Sequence, residues 1–174
     1  GAPSLSGRDP FAHLQFLRHE RPAVWDAAAC FLEPVDWLNL RLTGIPSASF
    51  DTATLHWVTD VRDPLRVRYD PALLRLAGLD ASRLPPLRPS ASVVGPVTAH
   101  AAAELGLGPD AVGVTATPDT MSGAVGSGAV GDRAAHLYVG TSSWLSCHVT
   151  RKKTDPFHAI AALPSALPGR YLVS

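Results

Sequence analysis

The sequence has no surplus of charge of either sign: 15 Lys and Arg balance 15 Asp and Glu over 174 residues. A chain without a basic excess is poorly suited to neutralising a run of phosphates, which argues against nucleic acid as the main partner. The same balance is unlike a lysine-rich protein of membrane surfaces. No uninterrupted apolar run approaches the roughly 18 residues that a membrane span needs. Cysteine is scarce: Cys30 and Cys147 stand far apart with no CxxC spacing. That argues against a disulfide scaffold and a Cys-based zinc site, and fits reduced thiols and a cytoplasmic location. No charged n-region followed by an apolar h-region opens these residues, and no internal repeat appears. Charged residues make up only 17%, against about a quarter in ordinary globular domains. This low fraction predicts that much of the surface is covered by a partner domain or a neighbouring subunit.

What is present is an apolar fraction of 46%, enough for a packed core, broken by 16 prolines. The length allows one domain, or one and a fraction. Asp9 as N-cap and Pro10 at the first helical position open a helical stretch to about Cys30, restarted at Pro22. Pro34 to Gly44 and Pro71 to Gly78 read as helices with proline starts and glycine stops. Residues 47–60 fit helix or loop equally. Val93, Val94 and Val97 predict an extended segment, and Thr98 to Leu105 a helix ended by Gly106. Ala111 to Ala116 reads as a buried strand, Thr117-Pro118-Asp119 as a turn, and Thr120 to Val130 as a small-residue helix. Ala134 to Val139 and Trp144 to Thr150 form a hairpin about Gly140-Thr141-Ser142. The order is α/β in character.

Two segments could carry chemistry. The first is Asp119, delivered to a strand end where ligands of α/β sheets collect, at the positive end of the following helix. An ionised Asp there can accept a proton from a hydroxyl nucleophile; a plain helix cap is the commoner use of such a residue. Gly123, Gly126 and Gly128 cost helix stability and predict close approach of a backbone or ligand. The second is Gly140-Thr141-Ser142, a glycine-led turn with hydroxyls that suits phosphate, though an ordinary hairpin turn has the same composition. Gly126 to Gly131 spells GxGxxG but ends a helix rather than opening one, so it is no dinucleotide fingerprint. No GxSxG elbow supports a serine hydrolase. The seven histidines lack zinc spacing and read as core or surface residues. Trp25, Trp37 and Trp57 read as core or subunit-interface anchors.

Several segments, in order, resemble the FGGY carbohydrate kinases, the group of xylulokinase and glycerol kinase. They are Pro34-Val-Asp-Trp-Leu-Asn-Leu-Arg-Leu-Thr-Gly44, Asp51-Thr-Ala-Thr-Leu55, Leu79-Asp-Ala-Ser-Arg-Leu-Pro-Pro-Leu87, Val94-Gly-Pro-Val-Thr98, Pro118-Asp-Thr-Met-Ser-Gly-Ala-Val-Gly-Ser-Gly128 and Tyr138-Val-Gly-Thr-Ser142. The resemblance runs from about residue 8 over almost the whole chain, with Gly140 to Val149 and Leu163 to Leu172 most like a xylulokinase-like branch.

The resemblance implies a ribonuclease-H-like (actin/sugar kinase) fold of two domains closing on a cleft, with sugar on one side and ATP on the other. It implies that residues 1–132 are the helix-rich latter part of the sugar-binding N-terminal domain. Residues 133–174 then begin the C-terminal ATP-binding domain with its first hairpin. It also implies Asp119 as general base toward a ketose or polyol hydroxyl, Thr120 at the sugar, Gly140, Thr141 and Ser142 at the ATP phosphates, and Mg2+ with the ATP. The family usually has Asn or Gln after the base; Thr120 cannot make an amide's contacts and puts xylulose in doubt as the substrate. Val35-Asp36 replaces a usual Lys-Asp, a matter of packing. The family's Asp-x-Gly-Thr phosphate turn and its glycine-rich adenosine segment do not occur here. The chain therefore reads as an internal or truncated piece, inactive alone, whose partners include the remaining parts of the kinase chain and, as in related kinases, a second copy. The competing expectation is a non-catalytic sugar- or nucleotide-binding or assembly module that keeps the fold without the chemistry.

Overall fold

The computed structural model describes residues 7–141, 143–155, 157–158 and 160–174. Prolines and glycines punctuate its first half. Pro10, Pro22 and Pro34 each occupy the first position of a helix, giving α1 (Pro10–Glu20), α2 (Pro22–Ala27) and α3 (Pro34–Thr43). Proline is tolerated there because the first amide has no intrahelical partner. Gly44 ends α3 at φ 72°, a left-handed turn that glycine enters without steric cost. The stretch 47–60, ambiguous in sequence, holds β1 (Ala48–Ser49), the one-turn helix α4 (Phe50–Thr54) and β2 (Thr59–Asp60). Ser49 and Thr52 close a reciprocal capping box on α4.

β3 (Arg68–Tyr69) pairs antiparallel with β2 and leads into α5 (Pro71–Ala77). Asp70 caps α5 by accepting from the amides of Ala72 at 2.8 Å and Leu73 at 3.1 Å. β4 (Leu87–Arg88) runs parallel to β1. The apolar faces of α1 and α5 meet in one core of Leu14, Phe31, Val58, Leu74, Ala77, Leu79 and Leu84. Trp25 packs on this core, stacked on Phe31 at 4.7 Å. The Arg83 guanidinium covers both rings, 4.8 and 4.7 Å from their centroids, and donates to the carbonyls of Trp25 and Ala28.

β5 (Val93–Pro96) and β6 (Val112–Val114) pair antiparallel, with α6 (Ala99–Leu105) between them. α3 and the residues just after it lie across this pair so closely that a Cβ on Gly113 would sit 2.3 Å from Thr43 Cγ2, and one on Gly95 2.6 Å from Ile45 Cδ1. The amide of Asn39 donates to the Val114 carbonyl at 2.9 Å. The expected buried strand at 111–116 is only half buried: Val112 and Val114 point outward at 50% and 42% exposure. A two-stranded ribbon has one covered face, and here α3 covers the side of Gly113.

α7 (Asp119–Gly126) is followed by β7 (Ala135–Val139), β8 (Ser143–Val149), β9 (Ala162–Pro164) and β10 (Tyr171–Val173). These strands form an antiparallel sheet in the order β7-β8-β10-β9. β9 and β10 have three residues each, too short for alternation to reveal them, and they extend the expected hairpin into a four-stranded sheet. Met121 and Ala124 seat α7 on Leu172 and Leu163 of this sheet. The Tyr171 hydroxyl donates to the carbonyls of Arg62 at 2.8 Å and Val61 at 3.0 Å, tying the sheet to the segment that follows β2. No helix among the described residues is long and apolar enough to cross a membrane.

Candidate functional site

Asp119 is the first residue of α7, preceded by Pro118 as N-cap at φ −59° and ψ 154°. Proline has no amide to lose at a helix start, and its ring holds the residue before it extended. The helix therefore begins at the carboxylate itself, and Asp119 is not the cap. Its Oδ1 accepts from the Thr120 amide at 2.7 Å and the Thr120 hydroxyl at 3.3 Å. Asp119 is exposed and Thr120 half-buried, while Met121 and Ala124 beneath them are fully buried. One face of the first turn is thus fixed to the sheet and the carboxylate is left toward solvent, beside the positive end of the helix dipoles.

The segment entering the helix is anchored by hydroxyls. Thr115 Oγ1 donates to the Pro89 carbonyl at 2.9 Å and accepts from the Ser92 amide at 3.0 Å. Thr117 Oγ1 donates to Asp51 Oδ2. Asp51 is buried at 0% exposure, and its other oxygen accepts from the Ser49 hydroxyl, the Ser90 hydroxyl at 2.7 Å and the Thr52 amide at 3.2 Å. Sequence reasoning quoted the segment that Asp51 opens for the family resemblance but gave this carboxylate no role. Its signal is faint: an Asp inside the hydroxyl-rich run Ser47-Ala-Ser-Phe-Asp-Thr-Ala-Thr54, whose other donors lie at positions 90 and 117.

A second acidic group lies nearby. Asp36 is 1% exposed, and neither carboxyl oxygen has a hydrogen-bond partner of normal geometry. Burial pushes its pKa up to about 6; the Thr52 hydroxyl nearby opposes the shift, and the Glu33 carboxylate adds to it. His56, itself buried, pairs through Nε2 with Glu33 at 2.9 Å.

Gly140 and Thr141 lie exposed in the turn between β7 and β8, and Ser142 lies outside the described residues. A Cβ on Gly140 would come 2.7–2.9 Å from the phenol end of the Tyr138 side chain, which would have to shift to admit it. Tyr138 in turn stacks on Trp144 at 4.1 Å, which stiffens the hairpin. The structure brings Asp119 and Thr120 together; among the described residues no hydrogen bond joins them to Gly140 or Thr141. Of the three glycines, Gly128 lies beyond the end of α7 in the left-handed region at φ 82°, and a Cβ on Gly123 would make ordinary contact with His136 at 3.5 Å. A Cβ on Gly126 or Gly128 would meet open space, so the expected close approach occurs at neither. The buried His148 donates its Nδ1–H to the Ala129 carbonyl at 2.8 Å, a structural role.

The chain matches the model of the FGGY family of carbohydrate kinases, N-terminal domain, over residues 5–126. It is 31% identical to an autoinducer-2 kinase of Enterobacter sp. (strain 638) over 156 residues, covering 90% of this chain and 29% of that protein. It is 30% identical to a xylulose kinase of Staphylococcus epidermidis over 149 residues, covering 80% of this chain and 27% of that protein. Among solved structures, a xylulose kinase from Lactobacillus acidophilus superposes with a TM-score of 0.84 at 22% identity, covering 95% of this chain and 33% of that one. One from Rhodospirillum rubrum gives 0.81 at 25% identity, with 94% and 32% covered. The chain spans under a third of the length of these relatives, and its fold is that part of the actin/sugar kinase, ribonuclease-H-like architecture. The family match over residues 5–126, more than half of the chain, with relatives 30–31% identical over most of it, places this chain in the FGGY family of carbohydrate kinases.

Proposed function

We propose that this chain supplies the acceptor side of an ATP-dependent sugar kinase, with Asp119 as the general base. The observation that carries the reading is the exposed carboxylate on the first turn of α7, held from below by Met121 and Ala124. In this reading Asp119 accepts the proton of a ketose or polyol hydroxyl as that oxygen attacks the γ-phosphate. The new bond is from sugar oxygen to phosphorus, and the bond broken joins phosphorus to the oxygen of the leaving ADP. Phosphoryl transfer asks the protein mainly for position and charge. Thr120 stands next to the base and borders the sugar, its hydroxyl already turned on Asp119. The Gly140-Thr141-Ser142 turn holds ATP phosphates, and Mg2+ arrives with the nucleotide and neutralises phosphate charge; no residue here is assigned to the metal.

Residues 1–132 belong, in the same proposal, to the sugar-binding domain and 133–174 to the start of the ATP-binding domain. Remaining parts of the kinase chain cover apolar side chains that stand in solvent here, such as Leu76 at 86% exposure. The 174 residues alone then have no turnover. A second reading, a binding or assembly module without transfer, draws on Thr120, which stands where the family usually has Asn or Gln and turns its hydroxyl on Asp119. Titration calorimetry and an ADP-release assay on the complete polypeptide, with Mg-ATP and a panel of ketoses and polyols, separate the two. Sugar-dependent ADP release supports the kinase; sugar or nucleotide binding without release supports the module.

A further inference from the structure

Asp51 is a fully buried carboxylate for which the proposed reaction has no use. Burying such a group is costly unless donors surround it, and here four converge: three hydroxyls and one amide. They are divided unevenly. Oδ1 takes Ser49, Ser90 and Thr52, all close to the β1–β4 pair, whereas Oδ2 takes Thr117 from the segment that precedes α7. The strand ladder of β6 stops at Val114. Thr115 is still tied to Ser92 and Pro89. Between there and Pro118, among the described residues, the Thr117 hydroxyl makes the one hydrogen bond to another element, and it goes to Asp51.

From these contacts we infer that Asp51 is a positioning residue. Through Thr117 it fixes the backbone two residues before Asp119, and so sets where the Asp119 carboxylate stands against the acceptor hydroxyl. The inference rests on the reading of Asp119 as base. Thr117→Val keeps the side-chain shape and removes the donor; Thr117→Ser keeps the donor. A displacement of the base of the order of 1 Å costs up to about a hundredfold in rate.

The test uses the complete polypeptide with Mg-ATP and whichever of D-xylulose or glycerol supports the faster ADP release. Thr117→Val should lower kcat ~10- to 100-fold, with sugar KM changed less than about twofold, and Thr117→Ser should restore it. In an Asp119→Asn background the same Thr117→Val change should have no further effect, because the two act as one unit. Independently of any acceptor, amide exchange over 116–120 should accelerate in Thr117→Val and return in Thr117→Ser. Asp51→Asn serves the same comparisons if Thr117→Val does not fold. An unchanged kcat, an equal loss in both backgrounds, or unchanged exchange overturns the positioning role while leaving the base in place. Turnover retained by Asp119→Asn alone overturns the base reading and this inference with it.

Discussion

Replacing Asp36 by Asn should stabilise the protein in a way that depends on pH. The carboxyl is 1% exposed, without a hydrogen-bond partner of normal geometry, and its pKa is raised from the ordinary value near 3.8 to about 6. Burial is the main cause. The Thr52 hydroxyl opposes it, Glu33 and Asp51 add to it, and His56 offsets part. Because the folded value lies above the unfolded one, the folded state binds the extra proton between those two values. Stability from this group is therefore fullest below pH ~4 and is lost as pH rises through about 6. Two pH units correspond to about 3 kcal/mol, the penalty that the ionised form carries at pH 8. Asn keeps the shape and cannot ionise. Urea denaturation followed by tryptophan fluorescence, on parent and variant side by side, should show a gain approaching ~3 kcal/mol at pH 8. At pH 4 the two should agree within about 1 kcal/mol. The same difference at both pH values, or a less stable variant at pH 8, would refute the reasoning.

Other perturbations test the packing. Gly113→Ala would place a methyl 2.3 Å from Thr43 Cγ2, and overpacking of this kind should cost ~1–3 kcal/mol by the same denaturation assay. Arg83→Ala removes donors to two carbonyls and a cation from two rings; a loss of ~2–3 kcal/mol is expected, with Trp25 emission moving to the red. Arg83→Lys should recover only part of it, since an ammonium cannot reproduce the planar fork.

The sequence was most legible where chain stiffness is written in single residues. Pro34 and Gly44, Pro71 and Gly78, and Gly106 mark helix ends that the structure keeps. The two-residue strands β1 to β4 were not legible, because pairing over two residues depends on tertiary neighbours and leaves no period. Asp119 was placed correctly at a helix start, although Pro118 takes the cap. The role of Asp51 was missed for a different reason: besides its neighbours Ser49 and Thr52, its donors come from positions 90 and 117, and only folding brings those together. The exposed faces of Val112 and Val114 were read as buried because three residues cannot distinguish a one-sided ribbon from an interior strand.

The central claim is that the Asp119 carboxylate takes the acceptor's proton. Single-turnover transfer of the γ-phosphate by Asp119→Asn in the complete polypeptide tests it most directly. The account predicts a rate lower by at least ~10²-fold, with sugar and ATP binding within about twofold of the parent. Transfer at the parent rate, with the substitution confirmed by mass, would contradict it.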